Sequence, residues 1–426
     1  MEISNGQLTL KKHTLSEWLA ISIFVLPFFF SFFMDFIGLP SFVKYSIDVS
    51  WVLSFVYLFF RKNVLLNRKT LPFLVLVGIW FLYVTVVYLF QYQSIFYYLW
   101  GIRNNLRFYI AFFAFVAILD EEMVSSCLKF IDFLFWINIA VTFFQFFVQG
   151  YQQDYLGGIF GVERGCNAYS SILFAIVVTK SILLYMNGKE KTLSCLLKCT
   201  FALVLSAMAE IKFFFVLFII ILIFASVLTK FSWRKVVVFG IMSMIIMFAG
   251  SILTIIFGSN EELSLQRIFE LATSSNYATA EDLGRFTAIP IISERILTTW
   301  PERLFGMGIG NCDTSAFAIC NTPFFQMYES LHYSWFSSAF LFLETGYVGL
   351  AMNIGFFVLC FISSLKRYKE DKFSLFAPMG IIFAVICVIL TFYNSALRKE
   401  VGYLLYFGLA LPLVTKQSAK KQHLFS

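Results

Sequence analysis

The sequence predicts an all-α, polytopic membrane protein of about twelve transmembrane helices with one large loop on the outer side. Three observations lead to this fold class. Of the 426 residues, 60% are hydrophobic and only 13% are charged, and the mean hydropathy is +0.81. Apolar stretches of about 18 residues or more recur with charged residues at their ends, as is typical of membrane-spanning helices. One long stretch, from Gly258 to Glu344, carries many charges instead. This composition excludes an assembly of soluble domains.

The apolar stretches define the predicted spans. Met1 to Lys12 is polar, and the first apolar stretch, Trp18 to Met34, lacks a small-residue cleavage site. We therefore interpret it as a retained span rather than a signal peptide. An even number of spans places both termini on one side. The predicted spans are residues 17–34, 43–60, 71–90, 99–119, 127–149, 167–187, 193–209, 211–229, 236–257, 346–364, 375–393 and 401–415.

Lysine and arginine residues indicate the orientation, because short cytoplasmic loops of membrane proteins carry an excess of both. With both termini in the cytoplasm, nearly every cytoplasmic loop is basic and the outer face has few lysines. This bias accounts for the net charge of +7, which does not indicate a nucleic-acid partner. The basic residues placed in the cytoplasm are Lys11, Lys12, Arg61, Lys62, Arg68, Lys69, Lys189, Lys191, Lys230, Arg234, Lys235, Lys366, Arg367, Lys369, Lys372, Lys416, Lys420 and Lys421.

The chain is interpreted as one integral membrane domain, residues 1–426, in which residues 258–345 form the outer loop and carry the predicted active site. The loop is expected to contain short helices that lie on the membrane bundle. One helix follows Arg285 and should be kinked by Pro290. The segment Tyr333–Leu343 is apolar on all sides and is predicted to be a short helix in the outer half of the membrane, with His332 at its start. The two apolar stripes of the loop are Leu265, Ile268, Phe269 and Ala272, and Ile289, Ile292 and Ile296.

Several familiar motifs are not supported. The glycines of GMGIGN lack the strand, the helix and the downstream acid of a dinucleotide site, and no P-loop, HExxH or DxD sequence is present. The eight cysteines show no metal-binding spacing. We therefore expect no cofactor and no metal site. Cys312 and Cys320 both lie in the loop, either as a disulfide or as two unrelated thiols.

Charged residues inside predicted spans are costly, so each requires an explanation. Lys44 and Asp48 are four residues apart and are expected to pair. Lys180 and Lys198 are predicted to reach the cytoplasmic surface with their long side chains. Asp132 lies close to an interface. These residues are interpreted as structural.

The few cations on the outer face are candidate ligands for an anion. Arg285 heads an apolar stripe, and its planar fork of donors matches phosphate oxygens. The alternative is a salt bridge with Glu281 or Asp282. Lys212 lies in a tight outer turn, where the alternative is an interfacial anchor. The other candidates are Arg103, Arg107, Arg164 and Arg398.

His332 is the one histidine outside the chain ends. Imidazole is well suited to removing a proton from a hydroxyl near neutral pH, which makes His332 a candidate general base. A hydrogen-bonded structural histidine is the alternative.

These residues lie in segments that resemble a known family. LFGMGIGN followed by LHYSWFSSAFLFLETGYVGL is similar to the G-x-G, H-N-x-x-L and E-x-G-x-x-G-L pattern of the bacterial O-antigen polymerase and ligase superfamily, the Wzy and WaaL types. The similarity extends to LGRFTAI, LWGIRNNLRF and GGIFGVERGCNA. Lys212 stands where the family has an outer-turn arginine, and Tyr333 stands where an asparagine is common.

The resemblance implies a GT-C-like helix bundle in the bacterial cytoplasmic membrane, with the loop in the periplasmic or extracellular space. The implied substrate is undecaprenyl-diphosphate-linked oligosaccharide, and the implied reaction is a metal-independent, inverting glycosyl transfer that makes O-antigen, capsule or exopolysaccharide. By resemblance, His332 is the general base and Arg285 a clamp on the departing diphosphate. A chain-length regulator and a flippase of the same pathway are the implied protein partners.

Three alternatives remain at this point. A ligase would move the finished chain to a lipid or protein acceptor, and it differs from a polymerase only in that acceptor. A flippase or other transporter would bind the same lipid-linked sugars, but it predicts cations at mid-depth on both sides of a cavity. A non-catalytic scaffold predicts that His332 and Arg285 can be replaced without loss of the polysaccharide.

Overall fold

The computed structural model describes residues 2–4, 7–9, 14–60, 66–91, 93–230, 232–233, 235–237, 240–241, 282–315, 317–372 and 374–414. Helices account for nearly all of the regular structure in these residues. A two-stranded antiparallel hairpin, β1 (Glu2–Ser4) and β2 (Gln7–Thr9), precedes them and pairs Ile3 with Leu8. Most of the predicted span 236–257, the apolar stripe from Leu265 to Ala272, and Glu281 lie outside the described residues.

The helices follow the apolar stretches of the sequence closely. Before the outer loop they are α1 (Leu15–Val25), α2 (Ser46–Phe60), α3 (Leu71–Gln91), α4 (Ile95–Ile118), α5 (Glu121–Phe147), α6 (Asn167–Met186), α7 (Thr192–Met208) and α8 (Lys212–Leu228). From the outer loop onwards they are α9 (Ala288–Arg295), α10 (Trp300–Phe305), α11 (Pro323–Tyr328), α12 (Ser337–Glu370), α13 (Phe376–Tyr393) and α14 (Gly402–Ala410).

Six helical segments of the described chain are long and apolar enough to cross a membrane, which confirms a helical membrane protein. The first two are Ser41–Phe60, which joins a 3-10 turn to α2, and α3. The others are α5, α6, α12 and α13. Four further apolar helices are shorter. Helix α4 is long enough, but Arg103, two asparagines and Arg107 make its first half more polar.

The bundle core lies where α4, α6, α8, α13 and α14 meet. Every residue of α14 is buried, and α6 is buried along nearly its whole length. Helices α2 and α3 instead expose large apolar side chains on one side, among them Phe59 and Leu82. Such a surface is compatible with lipid, because lipid tails are as apolar as these side chains.

One expectation about local structure was confirmed and two were wrong. The segment after His332 is a short helix, which begins at Ser337 rather than Tyr333 and ends at Gly346, where the backbone is not helical (φ 59°, ψ −165°); a second helical segment of α12 continues to Glu370. Pro290 lies in the first turn of α9, where no intrahelical bond from its nitrogen is needed, so it does not kink the helix. Asp48 pairs with Arg103 rather than with Lys44.

Lys180 and Lys198 do not extend to the membrane surface as predicted. Both are buried and share the carboxylate of Asp132, at 2.5 Å and 3.5 Å from its Oδ2 atom. Lys198 also lies 2.9 Å from Glu190. Because an unpaired charge in the bundle would be costly, these four side chains form a mutually compensating network that ties α5, α6 and α7 together.

Candidate active site

His332 lies between two short 3-10 turns, Glu329–Leu331 and Tyr333–Trp335. Its backbone is left-handed (φ 51°, ψ 29°), a conformation that few non-glycine residues adopt. The imidazole stacks on Trp335 with the ring centroids 4.0 Å apart. Its side chain is 38% exposed. The ring is therefore fixed on one face and accessible from outside.

Asp282 orients the imidazole. Its Oδ1 atom lies 2.5 Å from Nδ1 of His332, and the aspartate side chain is only 1% exposed. A carboxylate can only accept a hydrogen bond, so this contact selects the tautomer with the proton on Nδ1. The lone pair is then on Nε2. The pair is arranged as a histidine base held by a buried carboxylate.

Backbone hydrogen bonds bring His332 and Asp282 together, although the two residues are 50 positions apart in the sequence. The amide of Leu283 donates to the carbonyl of Leu331 at 3.2 Å. The amide of Ser337 donates to the carbonyl of Asn394 at 3.0 Å, and the Ser337 hydroxyl donates to the same oxygen at 2.8 Å. The start of α12 is thus attached to the C-terminal end of α13.

Arg285 lies three residues after Asp282, and its guanidinium carbon is 4.1 Å from the centre of the Tyr393 ring. The Tyr393 ring stacks almost parallel on Phe213, with centroids 3.5 Å apart and an interplanar angle of 11°. Phe213 directly follows Lys212. The C-terminal end of α13 therefore joins the turn of Arg285 to the turn of Lys212. We call Arg285, Tyr393 and Phe213 the aromatic stack.

Lys212 begins α8, and its ammonium lies 3.0 Å from Glu210. Glu210 has a positive φ of 53°, which turns the chain sharply between α7 and α8. Asn167 donates to the carbonyl of Ala209 at 3.0 Å and so fixes this turn to the start of α6. The lysine side chain is 20% exposed, so it is accessible at the protein surface.

The other predicted cations separate into two groups. Arg103, Arg107 and Arg398 lie together beneath the loop, each beside an acid. Arg103 contacts Asp48 at 2.6 Å, Arg107 lies 3.6 Å from Glu400, and Arg398 lies 3.8 Å from Asp313. Arg164 is exposed in the turn before α6, and its side chain makes no contact with the other candidates in the part of the chain that the structure describes.

Arg107 is the most enclosed of these residues. It is 3% exposed and donates to the carbonyl of Arg398 at 2.9 Å, which fixes the short helical turn after α13 to α4. Burial disfavours the ionised form of Glu400, but Arg107 and Lys399 outweigh it and lower the pKa of this carboxyl. Burial lowers the pKa of Arg398, whose guanidinium nevertheless stays charged. The structure thus places Arg107 in a structural network rather than at an accessible surface.

The GMGIGN segment attaches the loop to the bundle. The amides of Met307 and Gly308 donate to the carbonyls of Leu343 and Glu344, at 2.7 Å and 3.0 Å. The amide of Gly310 donates to Oε1 of the buried Glu344 at 2.9 Å. The segment therefore runs along the first part of α12, just before the break at Gly346.

Gly310 also lies directly against Gly101 of α4. A Cβ atom on either residue would overlap backbone atoms of the opposite segment, including the carbonyl oxygen of Tyr97 for Gly310. Gly310 also has a φ of +81°. Three segments that carry the family resemblance, those around Gly101, Gly310 and Glu344, are thereby in contact.

Replacement of Gly310 by alanine should detach the loop from α4, because the overlapping backbone atoms cannot move as a flexible side chain can. We expect faster cleavage of the loop by added protease in the intact protein. Gly150→Ala is the matched control, because Gly150 has a similar φ of +75° but open space around its Cβ position. Equal cleavage rates in the two variants would contradict the predicted contact.

Tyr333 and the two loop cysteines are buried around the same segment. The Tyr333 hydroxyl donates to the carbonyl of Cys312 at 2.6 Å, and burial raises the pKa of this phenol so that it remains a donor. Cys312 and Cys320 are both free thiols in the structure, and burial raises the pKa of each. Of the two alternatives for these cysteines, the structure has unrelated thiols.

No protein-family model and no curated protein matches the chain. Within the described residues no group of three or more His, Cys, Asp or Glu side chains is arranged to hold a metal ion.

Sequence reasoning missed the roles of Asp282 and Tyr393. Asp282 was considered only as a partner for Arg285, although it lies beside His332. Tyr393 ends an apolar span and has no distinguishing neighbours in the sequence. The only available signal was the position of Asp282 three residues before Arg285 in DLGR, and this proximity does not indicate a partner 50 residues away.

Proposed function

We propose that this protein is a membrane glycosyltransferase that polymerises a surface polysaccharide from undecaprenyl-diphosphate-linked oligosaccharides. The observation that carries the proposal is that Asp282, which holds the imidazole of His332, lies three residues before Arg285 in the same turn. A glycosyl transfer from a lipid diphosphate needs a base for the acceptor hydroxyl and cations for the leaving group. His332 supplies the base, and Arg285 and Lys212 supply the cations.

The proposed architecture is a GT-C-like bundle of about twelve spans in the bacterial cytoplasmic membrane. Both termini lie in the cytoplasm and the large loop lies on the outer face, as the distribution of lysine and arginine favours. The enzyme acts on the lipid-linked substrate from that face. A chain-length regulator and a flippase of the same pathway are its proposed protein partners.

In the proposed reaction, Nε2 of His332 accepts the proton of an acceptor sugar hydroxyl. The hydroxyl oxygen forms a bond to the anomeric carbon of the donor while the bond from that carbon to the diphosphate oxygen breaks. Attack from the face opposite the leaving group inverts the configuration. Asp282 stabilises the resulting imidazolium, and the positive charges of Arg285 and Lys212 stabilise the negative charge that grows on the diphosphate.

The aromatic stack supports the proposed role of Arg285. Stacking on a ring holds the guanidinium in one plane. Its N–H donors are then already oriented when phosphate oxygens bind. The ring of Tyr393 beneath Arg285 stacks on Phe213, which follows Lys212, so the aromatic stack brings the turns of these two cations together. Arg107 is instead 3% exposed and donates to a backbone carbonyl. We therefore assign the diphosphate to Arg285 and Lys212.

A direct test supplies the purified protein in nanodiscs with a lipid-linked repeat unit. We expect a ladder of longer products, and we expect the ladder to persist in excess EDTA because cations of the protein neutralise the leaving group. Unextended substrate would contradict the polymerase proposal, and loss of the ladder with EDTA would contradict the metal-independent mechanism.

The same assay separates the alternatives. A ligase would transfer the chain once, and only when a separate lipid or protein acceptor is present. A transporter would move the substrate across a sealed vesicle without making any new product. A scaffold would do neither.

A further inference from the structure

Three aromatic rings lie beneath the outer loop and have no part in the proposed reaction. Tyr45 precedes α2, Trp100 lies in the first turns of α4, and Phe317 belongs to the loop. Their ring centroids are 5.5 Å apart for Tyr45 and Phe317, 6.0 Å for Trp100 and Phe317, and 6.1 Å for Tyr45 and Trp100. We call these three residues the aromatic cluster.

The edge of the aromatic cluster carries fixed charged and polar groups. The guanidinium carbon of Arg103 lies 5.0 Å from the Tyr45 ring centre and 4.9 Å from that of Trp100. Two of its nitrogens donate to Asp48, and a third donates to Asn104 at 2.6 Å. These hydrogen bonds hold the guanidinium of Arg103 and the carboxylate of Asp48 in one orientation.

The exposure of the aromatic cluster is not explained by packing alone. Phe317 is 50% exposed although the loop around it is firmly attached. Asn321 accepts hydrogen bonds from Thr314 and Ser315, and its own carbonyl accepts from Tyr97. Among the described residues, the buried indole nitrogen of Trp100 has no hydrogen-bond partner. The rigid, partly open surface of these rings is suited to a ligand that packs on it.

The chemistry of the cluster favours a carbohydrate over lipid. Sugar rings have apolar C–H faces that pack on aromatic rings, and their hydroxyls bond to planar carboxylate, amide and guanidinium groups. A lipid tail would instead place hydrocarbon against the Arg103–Asp48 ion pair and remove water from its partly exposed edge. The cluster has both the apolar face and the polar edge that a sugar requires.

We propose that Tyr45, Trp100 and Phe317, with Arg103 and Asp48 at their edge, form a glycan-binding subsite. The ligand class follows from the proposed function, since the substrate there is an oligosaccharide. The subsite is connected to the reaction centre through the loop, because Tyr333, the neighbour of His332, bonds to Cys312 five residues before Phe317. It would hold sugars of a chain whose reacting end lies at His332.

Binding can be measured without catalysis. The probe is the lipid-free oligosaccharide released by mild acid from the host's own surface polysaccharide, and saturation-transfer NMR detects its binding to the protein in nanodiscs. Phe317→Ala and Trp100→Ala should each weaken binding about tenfold, as expected for the loss of one stacked ring. Trp100→Phe keeps a ring and should be intermediate. Met327→Ala is the control, because Met327 is 70% exposed in the same loop but lies outside the cluster.

Absence of binding to the wild-type protein would overturn the subsite, as would equal binding by Phe317→Ala, Trp100→Ala and Met327→Ala. The result is independent of the transfer reaction. If the protein binds the oligosaccharide through the aromatic cluster but has no polymerase activity, the result would support the subsite and contradict the proposed function. In an active protein, Phe317→Ala should shorten the product ladder while the first transfer is retained, because a first transfer does not need an extended chain.

Discussion

Replacement of His332 by alanine is expected to reduce polymerisation by about 10²- to 10⁴-fold, the usual contribution of a general base. The imidazole has one nitrogen bound to a buried carboxylate and its side chain is 38% exposed, so its other nitrogen can accept a proton from a bound hydroxyl. Product formation per minute from a lipid-linked repeat unit measures the effect. His423→Ala is the control, because it removes a histidine from the C-terminal end of the chain.

Two further measurements separate a base from a structural histidine. Added imidazole should restore part of the activity of His332→Ala, since a free imidazole can fill the space and accept the proton. Asp282→Asn should lower the rate by at least about tenfold, because an amide can also stabilise the wrong tautomer. Full activity of His332→Ala in a folded protein would remove the residue from the mechanism.

Replacement of Arg285 by alanine should lower the rate by about 10²- to 10³-fold, as for other single groups that stabilise a developing negative charge. Arg285→Lys keeps the charge but loses the planar fork, so we expect it to recover only part of the activity. The control is Arg295→Ala, which removes an exposed arginine from α9 in the same loop.

The aromatic stack provides a second test of the role of Arg285. Tyr393→Phe keeps the ring beneath the guanidinium and should be nearly as active as wild type. Tyr393→Leu removes the ring and should approach the effect of Arg285→Ala, mainly through kcat rather than KM. Equal activity of the phenylalanine and leucine variants would show that the ring does not position Arg285.

Much of the fold could be predicted because membrane helices are determined by local composition. The boundaries of α3, α6 and α13 agree with the predicted spans within a residue or two. In α12, Glu344, Thr345 and Gly346 interrupt the apolar run, and the helix is indeed broken at Gly346. The sequence does not show what the polar residues contact there, because Gly310, which donates to Oε1 of Glu344, lies 34 positions away.

The candidate site was predictable only as a list of residue types. The sequence alone identifies His332, because it is the one histidine outside the chain ends, and Arg285, because few cations are predicted on the outer face. Their partners depend on tertiary contacts. Asp282 is a partner only because Leu283 and Leu331 share a backbone hydrogen bond, and Arg107 is structural only because Arg398 folds back onto α4. Charge and position in the chain do not distinguish an accessible arginine from an enclosed one.

The contact between Gly101 and Gly310 limits how the proposed polymerase can be re-engineered. The two glycines belong to segments more than 200 residues apart, yet neither can accept a side chain while the other segment keeps its place. A loop transplanted from another protein to change the proposed sugar specificity would meet a foreign α4 surface. The residues from Tyr97 to Gly101 must therefore be exchanged together with the loop.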